Sequence, residues 1–412
     1  MEGPLTSGSA AAARPRPAGG RAVDVVVVGA GPAGATAALV LARAGVDVAL
    51  LDRAPLPRDK TCGGGVVARA FEALPHGVEL PVERRLGRVE SHFADAGATV
   101  AVERAAPLVH MAMRAPLDHA LAEAARAAGA VLCAGHAVER IGLAADHVAL
   151  ETSRGAWRAR FVIGADGATG TTARAGGWSA PLRTVPALEA EVIVPPSVLN
   201  RHASSARFDL GLPAGGYGWV FPKADHLSVG VGIFRRGGAR RRLRDELSRY
   251  LERAGLGETH VTRVRGAPIP VRPRPDVARG RLLLAGDAAG LADPLTGEGI
   301  SLAIRSGRLA AESLLGARLD ARDAARGYRA ALRREVLGEL RVARVLAWVL
   351  YGRPALVRHL VPSLGQLAGE ALTEIVVGRR TYRDLIRSAR AWRRLLAALG
   401  PRGVPRRRAR RV

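Results

Sequence analysis

The chain is short of several residue types, and each shortage excludes a class of protein. Two cysteines, Cys62 and Cys133, in 412 residues cannot build a disulfide framework. No His/Cys cluster has zinc-ligand spacing either, so no metal is expected, and a reducing, cytoplasmic compartment fits. No run of 18 or more apolar residues occurs, which argues against a spanning helix and confines any membrane contact to the surface. Lysine is nearly absent, at Lys60 and Lys223 alone, so arginine carries the formal charge of +25, as a coding bias would produce. Residues 321–412 concentrate it, with 22 arginines against six acids. Aromatic residues make up only 4% of the chain and the basic tail lacks the aromatic and motif context of a dedicated nucleic-acid module, so none is expected. No internal repeat is visible.

What is present is enough for two to three domains with real cores, since 48% of the residues are hydrophobic. Residues 1–21 are small, polar and proline-containing, lack the apolar core of a secretory signal and read as a disordered lead-in. The organising unit follows, from Val23 to Arg53. A β-branched run leads into Gly29-x-Gly31-x-x-Gly34, then an alanine-rich helix to Gly45, then a second strand that delivers Asp52 at its end. Gly29 permits the tight turn, Gly31 lets backbone approach a pyrophosphate, and Gly34 lets helix and strand pack closely. The helix amino terminus favours the phosphates, and Asp52 is placed to accept hydrogen bonds from a ribose.

Residues 54–71 form a proline-rich loop with Gly63, Gly64 and Gly65, which bare backbone N–H groups on the ligand side of the sheet. Alternating stretches over 86–113 and 176–264 predict an antiparallel substrate-binding sheet interleaved with a Rossmann-like nucleotide domain at 22–85, 114–175 and 265–315. The predicted class is therefore α/β, with a helical region at 316–400, broken at Pro354 and Pro362, and a basic tail at 401–412. The strand ending in Asp287 is followed by Gly297-x-Gly299 at a helix start. Its carboxylate suits sugar or ribityl hydroxyls, and the helix terminus suits an electron-rich ring edge. Tyr217, Trp219 and Phe221 alternate on one strand and share one face, which fits either a core or the wall of an apolar channel.

Three fingerprints, GAGPAG with its acid, the Asp166-Gly167 turn, and GDAAGLADPLTGEGI, resemble those of FAD-dependent oxidoreductases related to p-hydroxybenzoate hydroxylase. PRDKTCGGG and Tyr217-x-Trp219-x-Phe221-Pro222, followed by Gly230-x-Gly232, resemble the geranylgeranyl reductase family in particular. The match spans roughly 22–315. It implies FAD contacts at Gly29, Gly31, Ala33 and Gly34, at Asp52, at Cys62, Gly63 and Gly65, at Arg114 and Val138, and at Asp287, Gly299 and Ile300. Many relatives have Glu where this chain has Asp52. The resemblance favours a substrate channel at Tyr217, Trp219, Phe221 and Pro222.

Cys62, between Lys60 and the glycines, has two roles open: proton donor to the substrate, or packing against the isoalloxazine edge. The implied activity is saturation of carbon–carbon double bonds in an isoprenoid chain of a lipid, diphosphate, chlorophyll-type or quinone substrate. NAD(P)H or a ferredoxin would be the electron donor, since no second dinucleotide fingerprint occurs. A flavin monooxygenase or halogenase is the enzymatic alternative, although YGWVFP is not the halogenase WxWxIP motif. A non-catalytic prenyl-lipid carrier on the same fold is the alternative of another class. The arginine-rich C-terminal helices read either as a membrane-facing surface or as a lid with solvated arginines. Nothing in the sequence sets an oligomeric state.

Overall fold

The computed structural model describes residues 21–234, 243–388 and Arg393. The predicted lead-in up to Gly20, part of the helix predicted before Leu243, most of the terminal basic segment from 389, and the basic tail at 401–412 lie outside the described residues. Two sheets carry the fold. In the first, Leu282–Leu284, Gly155–Gly164, Arg21–Val28, Val48–Asp52 and Val131–Ala134 lie side by side in parallel pairs, with Ala278–Arg279 as an antiparallel edge. Val25, Val26 and Val27 in its middle are fully buried, as expected of a β-branched strand covered on both faces. The helix Pro32–Arg43 starts with proline at its first turn and stops before Gly45, whose φ of +75 ends it.

The second sheet has seven strands in the order His260–Ile269, Val185–Ile193, Leu227–Ile233, Gly216–Pro222, Ser205–Leu210, Arg88–Phe93 and Ala98–Glu103. It is antiparallel except where Ser205–Leu210 meets Arg88–Phe93 in parallel, because the hairpin of the first excursion docks on the edge of the second. The pairing of Ala187 with Ala267 and of Val185 with Ile269 keeps residues 265–269 in this sheet, beyond the boundary read from sequence.

Helices cover the remaining face. Pro354 opens the helix Pro354–Val376, as a proline suits a first turn, but Pro362 does not break it, contrary to the sequence reading. A proline removes only one i to i−4 bond, and here tertiary contacts hold the helix on both sides of it. Gly365 and Gly369 let the helix lie against the edge strand Ala98–Glu103: a Cβ built there would stand 2.9 and 2.7 Å from Val100 side-chain atoms. Gln366 Nε2 donates to the Ala101 carbonyl at 3.2 Å, and Arg104 pairs with Glu370. The edge strand is thereby covered.

The helix Ile300–Gly316 crosses Pro32–Arg43 so closely that a Cβ on Gly307 would lie 2.0 Å from the Ala33 carbonyl oxygen. Gly307→Ala is therefore expected to lower stability by roughly 1–3 kcal/mol, the usual cost of overpacking. Gly316→Ala, with nothing within 4 Å of the added carbon, should be neutral or slightly stabilising. Thermal unfolding of the two variants side by side checks the contrast, and equal melting temperatures would refute it.

Candidate active site

The glycine turn sets one end of the site. Gly29, at φ +102, passes beneath Ala165, and Gly34 rests on the Gly29 carbonyl, so strand, turn and helix touch backbone to backbone. Helix Pro32–Arg43 has no side-chain cap at Gly31, which leaves its first N–H groups open. Two guanidinium groups face Gly31: a Cβ there would stand 3.7 Å from Arg58 Nη2 and 3.9 Å from Arg114 Nη2. Both arginines share the fully buried Asp118, Arg58 at 3.0 Å and Arg114 through two bonds of 2.9 and 2.8 Å. Burial opposes the charge on Arg114, but Asp118 and then Cys62 outweigh it and hold its pKa above the ordinary value. Asp52 accepts from the Ala30 and Ala54 N–H groups at 2.9 and 3.0 Å and from Arg58 at 3.1 Å. Open helix N–H groups, two fixed cations and a carboxylate at the strand end fit a pyrophosphate and ribose, so FAD suits the residues present.

The other end is built from the glycine loop and the turn at Gly286–Ala289. Asp287 stands beside Gly299, the cap position of helix Ile300–Gly316, which also lacks a side-chain cap. Lys60 reaches across to Asp287 at 3.3 Å. Both side chains are partly exposed, and a pair of this kind contributes only about 0.2–1 kcal/mol, so it yields readily to a ligand. Cys62 Sγ accepts from the Gly64 N–H at 3.4 Å. Gly64, at φ +69, has its α-carbon pressed so closely on the Ala112 carbonyl and Lys223 that no side chain fits.

Between the two ends lies a cavity of about 620 Å³, within the range of ligand sites. Gly31, Ala33, Cys62, Gly63, Gly65 and Arg114 line it, as do Asp287, Gly299 and Ile300 at the turn and Tyr217, Trp219 and Phe221 on the sheet. Leu346, Val349 and Leu350 of helix Gly338–Gly352, with Leu360, Val361 and Leu364 of helix Pro354–Val376, close the apolar side. Gly29, Gly34 and Asp52 support the turn from behind. Val138 packs in the core of the nucleotide domain and its carbonyl accepts from Thr171 Oγ1 at 3.1 Å, while Pro222 ends its strand outside the cavity wall.

The aromatic rings on the sheet are packed edge against face. Phe208 meets Tyr217 and Phe221 at centroid separations of 5.8 and 5.2 Å, and Tyr217 donates to the Thr296 carbonyl at 2.7 Å. Gly230 explains its place in the pattern: a Cβ there would stand 2.1 Å from the Trp219 ring, so the indole lies flat across the neighbouring strand. The buried Trp219 Nε1 has no hydrogen-bond partner among the described residues, and a Cβ on Gly63 would come within 2.7 Å of it.

Several groups at the site escaped the sequence reading. Lys223, fully buried, donates to the Gly63 carbonyl at 2.8 Å and the Ala112 carbonyl at 3.1 Å, pinning the glycine loop to the sheet. Burial pulls its pKa below the ordinary lysine value, against the pull of Cys62 and nearby carboxylates. Arg69 bonds Glu298 and Ser301 at 3.2 Å each and lies 3.7 Å from buried Asp293, which accepts from Tyr382 at 2.9 Å. That network fixes the loop before Gly299. The lysine, next to Pro222, was the one signal available in sequence, as one of two lysines in an arginine-rich chain.

Comparison with known proteins agrees with this geometry. The FAD binding domain family matches residues 22–323. The geranylgeranyl diphosphate reductase of Rhodobacter capsulatus is 33% identical over 307 residues, covering 71% of this chain and 75% of that one. The menaquinone reductase of Mycobacterium tuberculosis is 31% identical over 395 residues, covering 90% and 94%. Among solved structures, a geranylgeranyl bacteriochlorophyll reductase-like protein from Thermoplasma acidophilum superposes with a TM-score of 0.73 at 23% identity, covering 84% and 92%, a likeness of fold. With the glycine turn, the paired acids and the aromatic cavity on one scaffold, the chain belongs to the geranylgeranyl reductase family of FAD-dependent oxidoreductases.

Proposed function

We propose that this protein saturates carbon–carbon double bonds in the isoprenoid chain of a lipid substrate, a prenyl diphosphate, quinone or chlorophyll-type ester, with NAD(P)H or a ferredoxin as electron donor. The observation that carries the reading is a single cavity that joins a polar end at Gly31, Arg114 and Asp287 to an apolar length walled by aromatic rings and helix Pro354–Val376. The relatives named for geranylgeranyl diphosphate and menaquinone support the same substrate class. In this reading Gly29, Gly31, Ala33 and Gly34 receive the FAD pyrophosphate, Asp52 the adenosine ribose, and Arg114 and Val138 flank the nucleotide. Cys62, Gly63 and Gly65 border the ring, Asp287 takes ribityl hydroxyls, and Gly299 and Ile300 present the helix terminus to the ring edge.

Reduced FAD supplies the hydride. The residues supply position: Tyr217, Trp219 and Phe221 hold an apolar chain against the glycine loop, and the closing helices exclude water. An unactivated alkene carries no carbonyl to polarise, so close placement and protonation do most of the work.

Anaerobic reduction of the purified, flavin-loaded protein, followed by mass spectrometry of geranylgeranyl diphosphate and menaquinone, tests the reading. A gain of two mass units per bond on either supports it. Oxygen uptake coupled to oxygen insertion would move the protein to the monooxygenases instead. Lys223→Met, which leaves the Gly63 and Ala112 carbonyls unpaired at about 1–3 kcal/mol each, is expected to weaken flavin retention at least tenfold. The ratio of flavin to protein after gel filtration reports it, with the melting temperature as a check on folding.

The same helix that lines the cavity with Leu346 and Leu350 presents Val345 and Trp348, 60% and 56% exposed, on its outer side among Arg341, Arg344 and Arg353. Arg353 lies over the indole at 4.4 Å. Apolar residues ringed by arginine suit a membrane interface. No described helix is long and apolar enough to cross a membrane. Val345→Ala with Trp348→Ala should lower co-sedimentation with anionic phospholipid vesicles several-fold while leaving flavin content unchanged.

A further inference from the structure

The sheet face that turns its aromatic rings to the cavity also carries two buried acids. Glu189 and Glu191 stand two residues apart on strand Val185–Ile193 and point the same way. Their cross-strand partners are Gly230 and Ser228, and beyond those lie Trp219 and Phe221. Because Gly230 has no side chain, Glu189 and the Trp219 indole are separated only by bare backbone. Glu189 lines the cavity and is 6% exposed. Its Oε1 accepts from Ser228 Oγ at 3.1 Å, and its Oε2 has no partner among the described residues. An isolated buried carboxylate is costly, and a protonated one beside an apolar cavity costs far less.

A route to water starts at its neighbour. Glu191 stands two residues along on the same face of the strand, close enough for its charge to raise the pKa of Glu189. Glu191 Oε2 lies 2.9 Å from His226 Nε2, and His226 Nδ1 lies 2.6 Å from Asp225, which is 82% exposed. Cavity, Glu189, Glu191, His226 and solvent thus stand in sequence.

Resting on the function proposed above, we propose that Glu189 is the acid that protonates the substrate alkene and that Glu191 and His226 reload it from solvent. The Glu189 O–H bond breaks and its proton forms a C–H bond at one alkene carbon. The hydride, with both electrons, comes from reduced FAD to the other carbon, and the π bond is consumed. Glu189 is left as a carboxylate and regains a proton through Glu191. The flavin is left oxidised and is reset by two electrons and a proton from the external donor. Cys62 then serves to position the glycine loop, held by Gly64 and flanked by Arg114 and Lys223.

The charged groups around Glu189 sort the two acids. Burial, then repulsion from Glu191, push Glu189 up to about 7, against the weaker pull of Lys223. On the next strand Arg265 is its cross-strand partner but turns to Asp59 at 3.8 Å, and Arg263 lies 3.9 Å from Glu191. His226 outweighs the effect of burial on Glu191 and keeps it below its usual range. Glu189 is therefore the member that holds a proton near neutrality, and that proton is lost as pH rises through its raised pKa.

The test uses the flavin-loaded full chain, reduced anaerobically and mixed with menaquinone or geranylgeranyl diphosphate while flavin reoxidation and product mass are followed. Glu189→Gln should bind FAD and undergo reduction as wild type does and keep KM within about threefold. Its kcat should fall about 10²-fold or more, the scale of lost general-acid catalysis. In wild type kcat should decline as pH rises through about 7, and in Glu189→Gln that decline should vanish. Glu189→Asp should recover part of the rate, and Cys62→Ser should keep the wild-type pH profile. A Glu189→Gln enzyme with kcat within threefold of wild type, or with its pH profile unchanged, overturns the assignment while leaving the proposed function standing. A wild type that reduces neither substrate overturns both.

Discussion

Three backbone contacts hold the molecule's chemistry in place: Gly34 on the Gly29 carbonyl, Gly29 beneath Ala165, and Gly307 on the Ala33 carbonyl. At each, any side chain would collide with main chain that has no way to give. The first two make the turn that leaves N–H groups open. The third brings helix Ile300–Gly316 onto helix Pro32–Arg43, so that its own open terminus at Gly299 faces the same cavity. The distance between the two anion-receptive helix ends is thus set by glycine contacts rather than by side chains that could repack. A cofactor that carries negative charge both at its pyrophosphate and at its reduced ring suits such a spacing.

The second sheet answers a different demand. It presents an apolar wall to the cavity and yet keeps polar groups within reach of it. Alternation along the strands separates the tasks: Leu188, Ala190 and Val192 pack beneath helix Leu243–Arg253, while Ala187, Glu189 and Glu191 face the cavity side. Across the sheet, Gly230 thins the wall so that the Trp219 ring lies down over it, and Gly232 leaves room beside the Phe234 ring. The glycines of this pattern are there for the rings, which is why the two occur together.

Much of this was legible in the sequence, and the division has a physical basis. The dinucleotide unit from Val23 to Arg53 and the step from Asp287 to Gly299 are local, so a few offsets and turn residues specify them completely. The one-face placement of Tyr217, Trp219 and Phe221 follows from strand periodicity alone. Lys223 and Glu189 were not legible, because their partners are distant in the chain: Lys223 meets Gly63 across 160 residues and Ser228 meets Glu189 across 39. Arg58 reads as a loop cation until Asp118, 60 residues on, is seen to hold it. Pro362 misled for the opposite reason, since local propensity predicts a break that tertiary packing on the edge strand overrides.

The C-terminal arginines gain a meaning from where the helices lie. Helix Gly338–Gly352 has one face in the cavity, so it cannot be an independent basic appendage. Its apolar residues divide into an inner set, with Leu346 and Leu350, and an outer set, with Val345 and Trp348, and Arg341, Arg344 and Arg353 share the outer side with the second set. An outer face that mixes exposed Val345 and Trp348 with arginines is the kind of surface an anionic interface would accept. The same placement ties the basic composition of this helix to the cavity it lines, since the residues that face the cavity and the exposed arginines belong to one element.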